Sequence, residues 1–423
     1  MPGKTISEKI LSRASRRDAR AGDLVVCDVD VAMGTDASVP MALDYFEQMG
    51  ATRVFDATRL VFVFDHYAAA PSAATFPLQA RVRAFASRHG VVVYDCGEGV
   101  CHQLMVESGR TRPGGLIVGA DSHSVTGGAL NAFATGIGSS DLAATMISGR
   151  IWLKVPDTIA VTLTGRTASG VFPKDIALAL AGRLGADGAA YQAMEFDGPG
   201  ASDLEVEDRL VLSNMSVEMG AKAGIFRADE KTASYLASRL HGPLDPVEPD
   251  RDAVYARTVN IDLSEIGPVV AMPHQVDHIA VIGECVGIPV HMVFIGTCTG
   301  GRARDIRQAA EVLFAGGRIA PGVHLVIAPA SRQVETSLRV DGTFDRLVSM
   351  GATILPPGCG PCCGTSPPVP ADGANVISTA NRNFKARMGR ATASIYLASP
   401  ATCAASAVTG RITDPRECGE ALR

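Results

Sequence analysis

Gly358-Cys359-Gly360-Pro361-Cys362-Cys363-Gly364 places three thiols within five positions. Neither a helix nor a strand favours that mixture. Gly lets a ligand approach the backbone and Pro fixes the turn, so the segment reads as a loop that aims sulfur at one point. A second loop, Gly296-Thr297-Cys298-Thr299-Gly300-Gly301, gives Cys298 the same small-residue setting. Cys359 and Cys362 can share one metal or cluster, and a distant third thiol, Cys298, can close the site. Electron-transfer clusters ordinarily take four thiolates. Three thiolates on a 4Fe–4S cube leave one iron open as a Lewis acid for a substrate hydroxyl and carboxylate. A structural zinc and ordinary buried thiols compete with this reading, and Cys363 competes with Cys362 for the third place.

Three histidines stand apart from the rest. His66, His102 and His123 each lie just past an apolar run, in Asp65-His66, in Glu98-Gly99-Val100-Cys101-His102 and in Asp121-Ser122-His123. Asp65, Glu98 and Asp121 beside them would fix imidazole tautomers and raise basicity, which suits acid–base chemistry. Near the C-terminus, Asn381-Arg382-Asn383-Phe384-Lys385-Ala386-Arg387 follows another apolar run. Two Arg in such a loop can grip carboxylates bidentately, with a solvated basic turn as the plain alternative.

The elements that position these groups alternate. Apolar runs at 24–31, 60–64, 91–95 and 116–120 read as strands, interleaved with helical patterns at 41–49, 76–88 and 139–151. A second unit is read from 159 to about 235, with helices at 174–184 and near 214–224. The Pro-, Asp- and Arg-rich stretch 241–259 reads as a linker. In a third unit, strands at 290–295, 325–328 and 352–355 alternate with a helix at 303–314, and the first and last of these strands end at the thiol loops. This pattern predicts an α/β protein with parallel-rich sheets, in which ligands bind beyond the carboxyl ends of strands. The expected domains are 1–165, 166–277 (with the linker) and 278–423. The sequence shows no internal repeat.

Composition sets limits. At 423 residues the chain can form several domains around a large core. A net charge of −5 gives no reason to expect nucleic acid or an anionic membrane as partner. No apolar run approaches the ~18 residues of a membrane span. The first twenty residues carry Arg13, Arg16, Arg17 and Arg20 but no apolar signal core, which favours the cytoplasm. Ten cysteines in a chain this long do not form a disulfide scaffold.

Four ordered motifs, Gly119-Ala120-Asp121-Ser122-His123, Phe294-Ile295-Gly296-Thr297-Cys298-Thr299, Gly358-Cys359-Gly360-Pro361-Cys362 and the Asn381–Arg387 loop, together resemble the aconitase superfamily, nearest the large-subunit type of 3-isopropylmalate dehydratase and homoaconitase. The resemblance runs essentially end to end. It implies three α/β/α domains around a central cluster cleft, with the swivelling fourth domain absent from this chain. A separate small subunit would then carry that domain and the serine base in a hetero-oligomer. It implies Cys298, Cys359 and Cys362 as ligands of a 4Fe–4S cluster and Asn381 as a cluster contact. Asp65 and His66 would assist departure of the hydroxyl. His102, Asp121 and His123 would surround it, with Glu195 as their carboxylate partner. Arg382 and Arg387 would bind substrate carboxylates, with Ser122 beside them and Thr35 also reaching the substrate.

The sequence departs from those relatives at three places. Thr35 stands where they carry His or Gln, Gly300 where they carry Asn, and Ala386 where they carry Gly. The implied activity is that of a hydro-lyase on a hydroxy di- or tricarboxylic acid, best matched by 2-isopropylmalate/3-isopropylmalate isomerisation. Homoaconitate, a dimethylmalate and maleate are the alternative substrates. A cluster-based sensor of RNA or of a partner is disfavoured by the acidic balance, and electron transfer by the ligand count.

Overall fold

The apolar runs become strands buried along their whole length: Leu60–Val63, Leu116–Gly119 and Met292–Ile295 have no exposed position. That is the pattern of parallel strands covered on both faces. A computed structural model describes residues 2–68, 72–240 and 242–418.

The described residues form three large sheets and one small ribbon. The first sheet is parallel, in the order Val92–Tyr94, Leu60–Val63, Val31–Thr35, Leu116–Gly119, Phe133–Gly136. The second is also parallel and runs Ala223–Phe226, Ala193–Asp197, Thr158–Thr164, Arg257–Asp262. The third has seven strands: Ile279–Val281, Val269–Ala271, Ser394–Leu397, Asn375–Ser378, Met292–Ile295, His324–Ile327 and Thr353–Ile354. Only the pairings of Val269–Ala271 are antiparallel there.

A repeat that the sequence does not reveal emerges from these orders. In the first sheet the chain begins at Val31–Thr35, takes two strands to one side, then crosses back for two on the other. The five parallel strands of the third sheet follow the same course from Met292–Ile295. Each sheet therefore has one switch point, where the chain leaves in opposite directions and a crevice opens at the carboxyl ends. In the first sheet Thr35 and Asp121 flank that point; in the third, Cys298 and Asn381 do. The two crevices face each other. The Cys359 amide donates to the Asp65 carbonyl (3.0 Å) and the Val100 amide to the Ala330 carbonyl (2.8 Å).

Several boundaries differ from expectation. The run 24–31 is two elements: Leu24–Asp28 pairs antiparallel with Arg150–Lys154, and Val31–Thr35 enters the first sheet. The helix expected to reach 151 stops at Ser148, capped by Gly149 in the left-handed conformation. The helix expected near 214–224 lies earlier, at Val206–Met215. One tighter turn, Ser216–Met219, follows it before the strand Ala223–Phe226. The expected linker keeps irregular backbone from 242 to 256, but its last three residues open the strand Arg257–Asp262; position 241 lies outside the described residues. Sheet membership also cuts the chain differently from 165 and 277. Thr158–Thr164 belongs to the second sheet, and Val269–Ala271 already belongs to the third.

Glu195 is a correction of another kind. On the strand Ala193–Asp197, Met194 and Phe196 enter the core between the second and third sheets. Side chains alternate along a strand, so Glu195 points the other way, under the N-terminal helix Ile6–Ser15. There it accepts the Ser7 amide (3.0 Å) and the Tyr255 hydroxyl (3.1 Å). It is 3% exposed and touches none of the three histidines.

Burial pushes the Glu195 carboxyl up from 4.5 to about 7, against the hydrogen bonds from Ser7 and Tyr255. A value raised on folding means that the native state holds the proton more tightly than the unfolded chain. Stability is therefore full below about 4.5 and falls as pH rises through about 7. Glu195→Gln removes this loss. In urea unfolding, the stability of Glu195→Gln relative to wild type should rise by ~3 kcal/mol between acid and mildly alkaline pH. A difference independent of pH would count against this account.

Candidate active site

Strand ends of the first sheet deliver the acid–base groups. Asp65 follows Leu60–Val63 and is wholly buried. Its Oδ1 lies 2.7 Å from His66 Nδ1, and its Oδ2 accepts the Cys101 amide at 2.8 Å. Asp121 follows Leu116–Gly119. Its Oδ1 meets His102 Nε2 at 2.9 Å and the His123 amide at 2.9 Å, and its Oδ2 stands 3.5 Å from His66 Nε2. His66, His102 and His123 thus converge on Asp121, flanked by Asp65.

Charge pairing overrides burial here. Burial alone would push His66 down, but Asp65 and Asp121 outweigh it and hold the imidazole well above its usual range. Burial likewise opposes ionisation of Asp121, yet His102, His123 and His66 keep it well below the usual carboxylate range. The relay is therefore poised as imidazolium on His66 and carboxylate on Asp121.

Two residues missed by the sequence reading complete the site. Glu218 Oε1 lies 2.8 Å from His123 Nε2 and accepts Arg382 Nε at 2.7 Å. It is the carboxylate partner assigned by expectation to Glu195. Arg382 also donates through Nη2 to Ser122 Oγ at 3.0 Å. Asn214, four residues before Glu218, donates to Cys298 Sγ at 3.1 Å and pairs with Asn381. Asn214 and Glu218 as the only amide and charged side chains between Leu210 and Ala221 were the available signal. Asp36 was also passed over. Buried, it accepts the His66 amide (3.0 Å), the Tyr67 amide (3.1 Å) and Gln79 Nε2 (2.9 Å), so it positions the segment that carries His66.

The thiols arrive from the third sheet. Cys298 and Cys362 are buried and Cys359 half-buried. Burial first, and then the neighbouring Cys362, pushes the Cys298 thiol up to about 11. Asn214 and Asn381 donate toward Cys298 Sγ, Arg387 Nη2 lies 3.8 Å from Cys362 Sγ, and Cys359 Sγ stands 3.7 Å from Asp65 Oδ2. Arg387 Nε is buried, with no hydrogen-bond partner among the described residues. Crowded thiols with amide and guanidinium donors aimed at their sulfurs fit a soft, anionic metal–sulfur group. Cys363 turns instead to Thr365 Oγ1, at 2.8 Å.

Three expected residues are placed away from this convergence. Glu98 pairs with Arg332 at 2.9 Å on the rim. Thr35 is buried, with its hydroxyl 3.2 Å from Ser38 Oγ rather than among the site side chains. Arg387 lies against Cys362, not beside Arg382 and Ser122. The other two departures have local explanations. A Cβ at Gly300 would meet Thr379 at 2.2 Å, and Thr379 is the residue that clamps Gly296 through its amide and carbonyl, each at 2.9 Å. Ala386 adopts φ +68, a conformation that glycine reaches without a Cβ penalty.

Groups that move protons, facing groups that bind anions and soft metals, define an acid–base lyase. The chain belongs to the aconitase family: the profile described as "Aconitase family (aconitate hydratase)" matches residues 8–287 and 282–410. Hydro-lyase activity follows from that membership. Its similar proteins include the 3-isopropylmalate dehydratase large subunit 1 of Methanopyrus kandleri, 48% identical over 98% of this chain and 99% of that one. The homoaconitase large subunit of Thermus thermophilus is 44% identical over 99% of each chain. The crystal structure of Thermococcus kodakaraensis aconitase X (holo-form) shares the fold at TM-score 0.53 and 14% identity, covering 85% of this chain and 84% of that one. Among the described residues no helix is long and apolar enough to cross a membrane.

Glu218→Gln should lower kcat by about 10²-fold, since it frees both His123 and Arg382; Glu195→Gln should leave turnover unchanged. Equal losses in the two variants would contradict the assignment. Ala386→Gly should raise stability by about 1 kcal/mol in denaturant titration by relieving the left-handed backbone. A loss of stability would show that the Ala386 methyl makes compensating contacts.

Proposed function

We propose that this chain is the large subunit of a two-chain hydro-lyase that interconverts 2-isopropylmalate and 3-isopropylmalate. The observation that carries the reading is the His66–Asp121–His102 relay lying across from Cys298, Cys359 and Cys362, in a chain 48% identical to a 3-isopropylmalate dehydratase large subunit. Cys298, Cys359 and Cys362 would hold a 4Fe–4S cluster, with Asn214 and Asn381 as its amide donors. When bound, such a cluster with three thiolate ligands supplies a Lewis-acidic iron.

All but one of the remaining roles belong to this chain's own groups. Arg382 and Ser122 bind one substrate carboxylate, with Glu218 holding the guanidinium in place. His66 keeps a proton on Nε2, facing Asp121, and gives it to the departing hydroxyl. Asp65 and Asp121 fix the imidazole and stabilise its charge. His102 and His123 orient Asp121. Arg387, whose Nε has no partner among the described residues, steadies the thiol loop and is a second anion contact. The base that removes the carbon-bound proton comes from the small subunit, as a serine. Relatives named as large subunits support a hetero-oligomer of this kind.

A homoaconitase reading has a specific support of its own, since a homoaconitase large subunit is 44% identical over 99% of the chain. Anaerobic reconstitution with iron, sulfide and the small subunit decides between them. Substrates are 2-isopropylmalate, homoaconitate, a dimethylmalate and maleate, followed by ultraviolet absorbance of the unsaturated species. The highest kcat/KM is expected with 2-isopropylmalate. A preference for homoaconitate transfers the assignment to that activity, and silence across the panel from an iron-loaded complex overturns the hydro-lyase reading.

A further inference from the structure

Lys174 occupies the first turn of the helix Pro173–Leu184 and is 1% exposed. No described carboxylate forms a salt bridge with it: Asp175 beside it accepts the Phe172 amide (2.9 Å) and the Val269 amide (3.2 Å). Lys174 Nζ instead donates to the Ala380 carbonyl at 2.8 Å, the Thr379 carbonyl at 3.1 Å and Thr299 Oγ1 at 3.2 Å, with Met215 Sδ at 3.6 Å. An ammonium has three donors and no acceptor; three oxygen acceptors around one nitrogen describe that charged form. A buried charge without a counter-charge is costly. Among the ionisable groups around it, Cys298 and Cys362 bear on it most strongly. Its oxygen partners lie within two residues of Cys298 or Asn381, so one amine ties together the two loops that meet at the sulfur pocket.

We propose that Lys174 is a positioning residue that joins the Cys298 loop to the Asn381 loop and provides the fixed positive charge that offsets a negatively charged iron–sulfur cluster. The inference rests on the reading of Cys298, Cys359 and Cys362 as cluster ligands. Burial pushes the lysine down to about 8, opposed first by its neighbours Cys298 and Cys362. Net charge and hydrogen bonding around sulfur set the reduction potential of a cluster. A fixed cation at this place favours the reduced, more negative form.

Lys174→Gln keeps N–H donors for the loop carbonyls and removes the charge. The measurements are iron and sulfide per chain after anaerobic reconstitution, unfolding of the cluster-free chain, and the midpoint potential followed by electron paramagnetic resonance. Lys174→Gln is expected to load iron and sulfide as wild type does, with a midpoint shifted to more negative potential. An unchanged midpoint in a loaded variant overturns the proposal alone. Wild-type protein that takes up no iron and sulfide overturns the cluster reading and this proposal with it. If Lys174→Gln does not load, Lys174→Arg decides: loading restored by the retained charge supports the proposal, and continued failure overturns it.

Discussion

Asp65 holds the two halves of the cleft in register. Its carboxylate is wholly buried and serves two partners, His66 Nδ1 and the Cys101 amide, while its carbonyl accepts the Cys359 amide from the opposing sheet. A buried carboxylate is tolerable only when each oxygen is satisfied. Here the satisfaction is also structural information. One residue fixes the ring of the acid, the start of the helix that carries His102, and the approach of a thiol loop. Ser366 Oγ and Thr365 Oγ1 add hydrogen bonds to the His66 carbonyl, so the same strand end is gripped twice from the third sheet.

Much of this was legible in the sequence, for a definite reason. Parallel strands buried on both faces are short apolar runs, and polar residues directly after them must lie at the sheet's carboxyl edge. That logic located Asp65, His66, Asp121, His123, Cys298 and Arg382 before any coordinates. It could not locate Asn214 and Glu218, because they leave a helix rather than a strand and reach the site from the second sheet's side. It also could not decide which face of a strand a lone carboxylate occupies. The family resemblance implied Glu195 as partner of the histidines, whereas the alternation of Met194, Glu195 and Phe196 turns it away from them. The departures at Gly300 and Ala386 needed coordinates too, since one depends on Thr379, distant in sequence, and the other on the sign of φ.

The electrostatics of the cleft are segregated. On the first sheet's side, Asp65 and Asp121 hold the His66 imidazole above its usual range, so burial is compensated locally. On the third sheet's side amide and guanidinium donors face the sulfurs, yet burial pushes the Cys298 and Cys359 thiols up. A metal–sulfur group of the proposed kind would hold those sulfurs as thiolates instead.

The matching strand order of the first and third sheets divides the work of evolution as well as of chemistry. Each half presents its loops from its own sheet, and backbone contacts at Asp65 and Ala330, together with side-chain bridges such as Arg302–Gln103, Ser331–Glu107 and Arg382–Ser122, register one against the other. A change in the loops of either face must therefore respect those bridges. The fold behaves as two matched jaws clasped along one seam: one carries the histidines and Asp121, the other the thiols and the arginine loop.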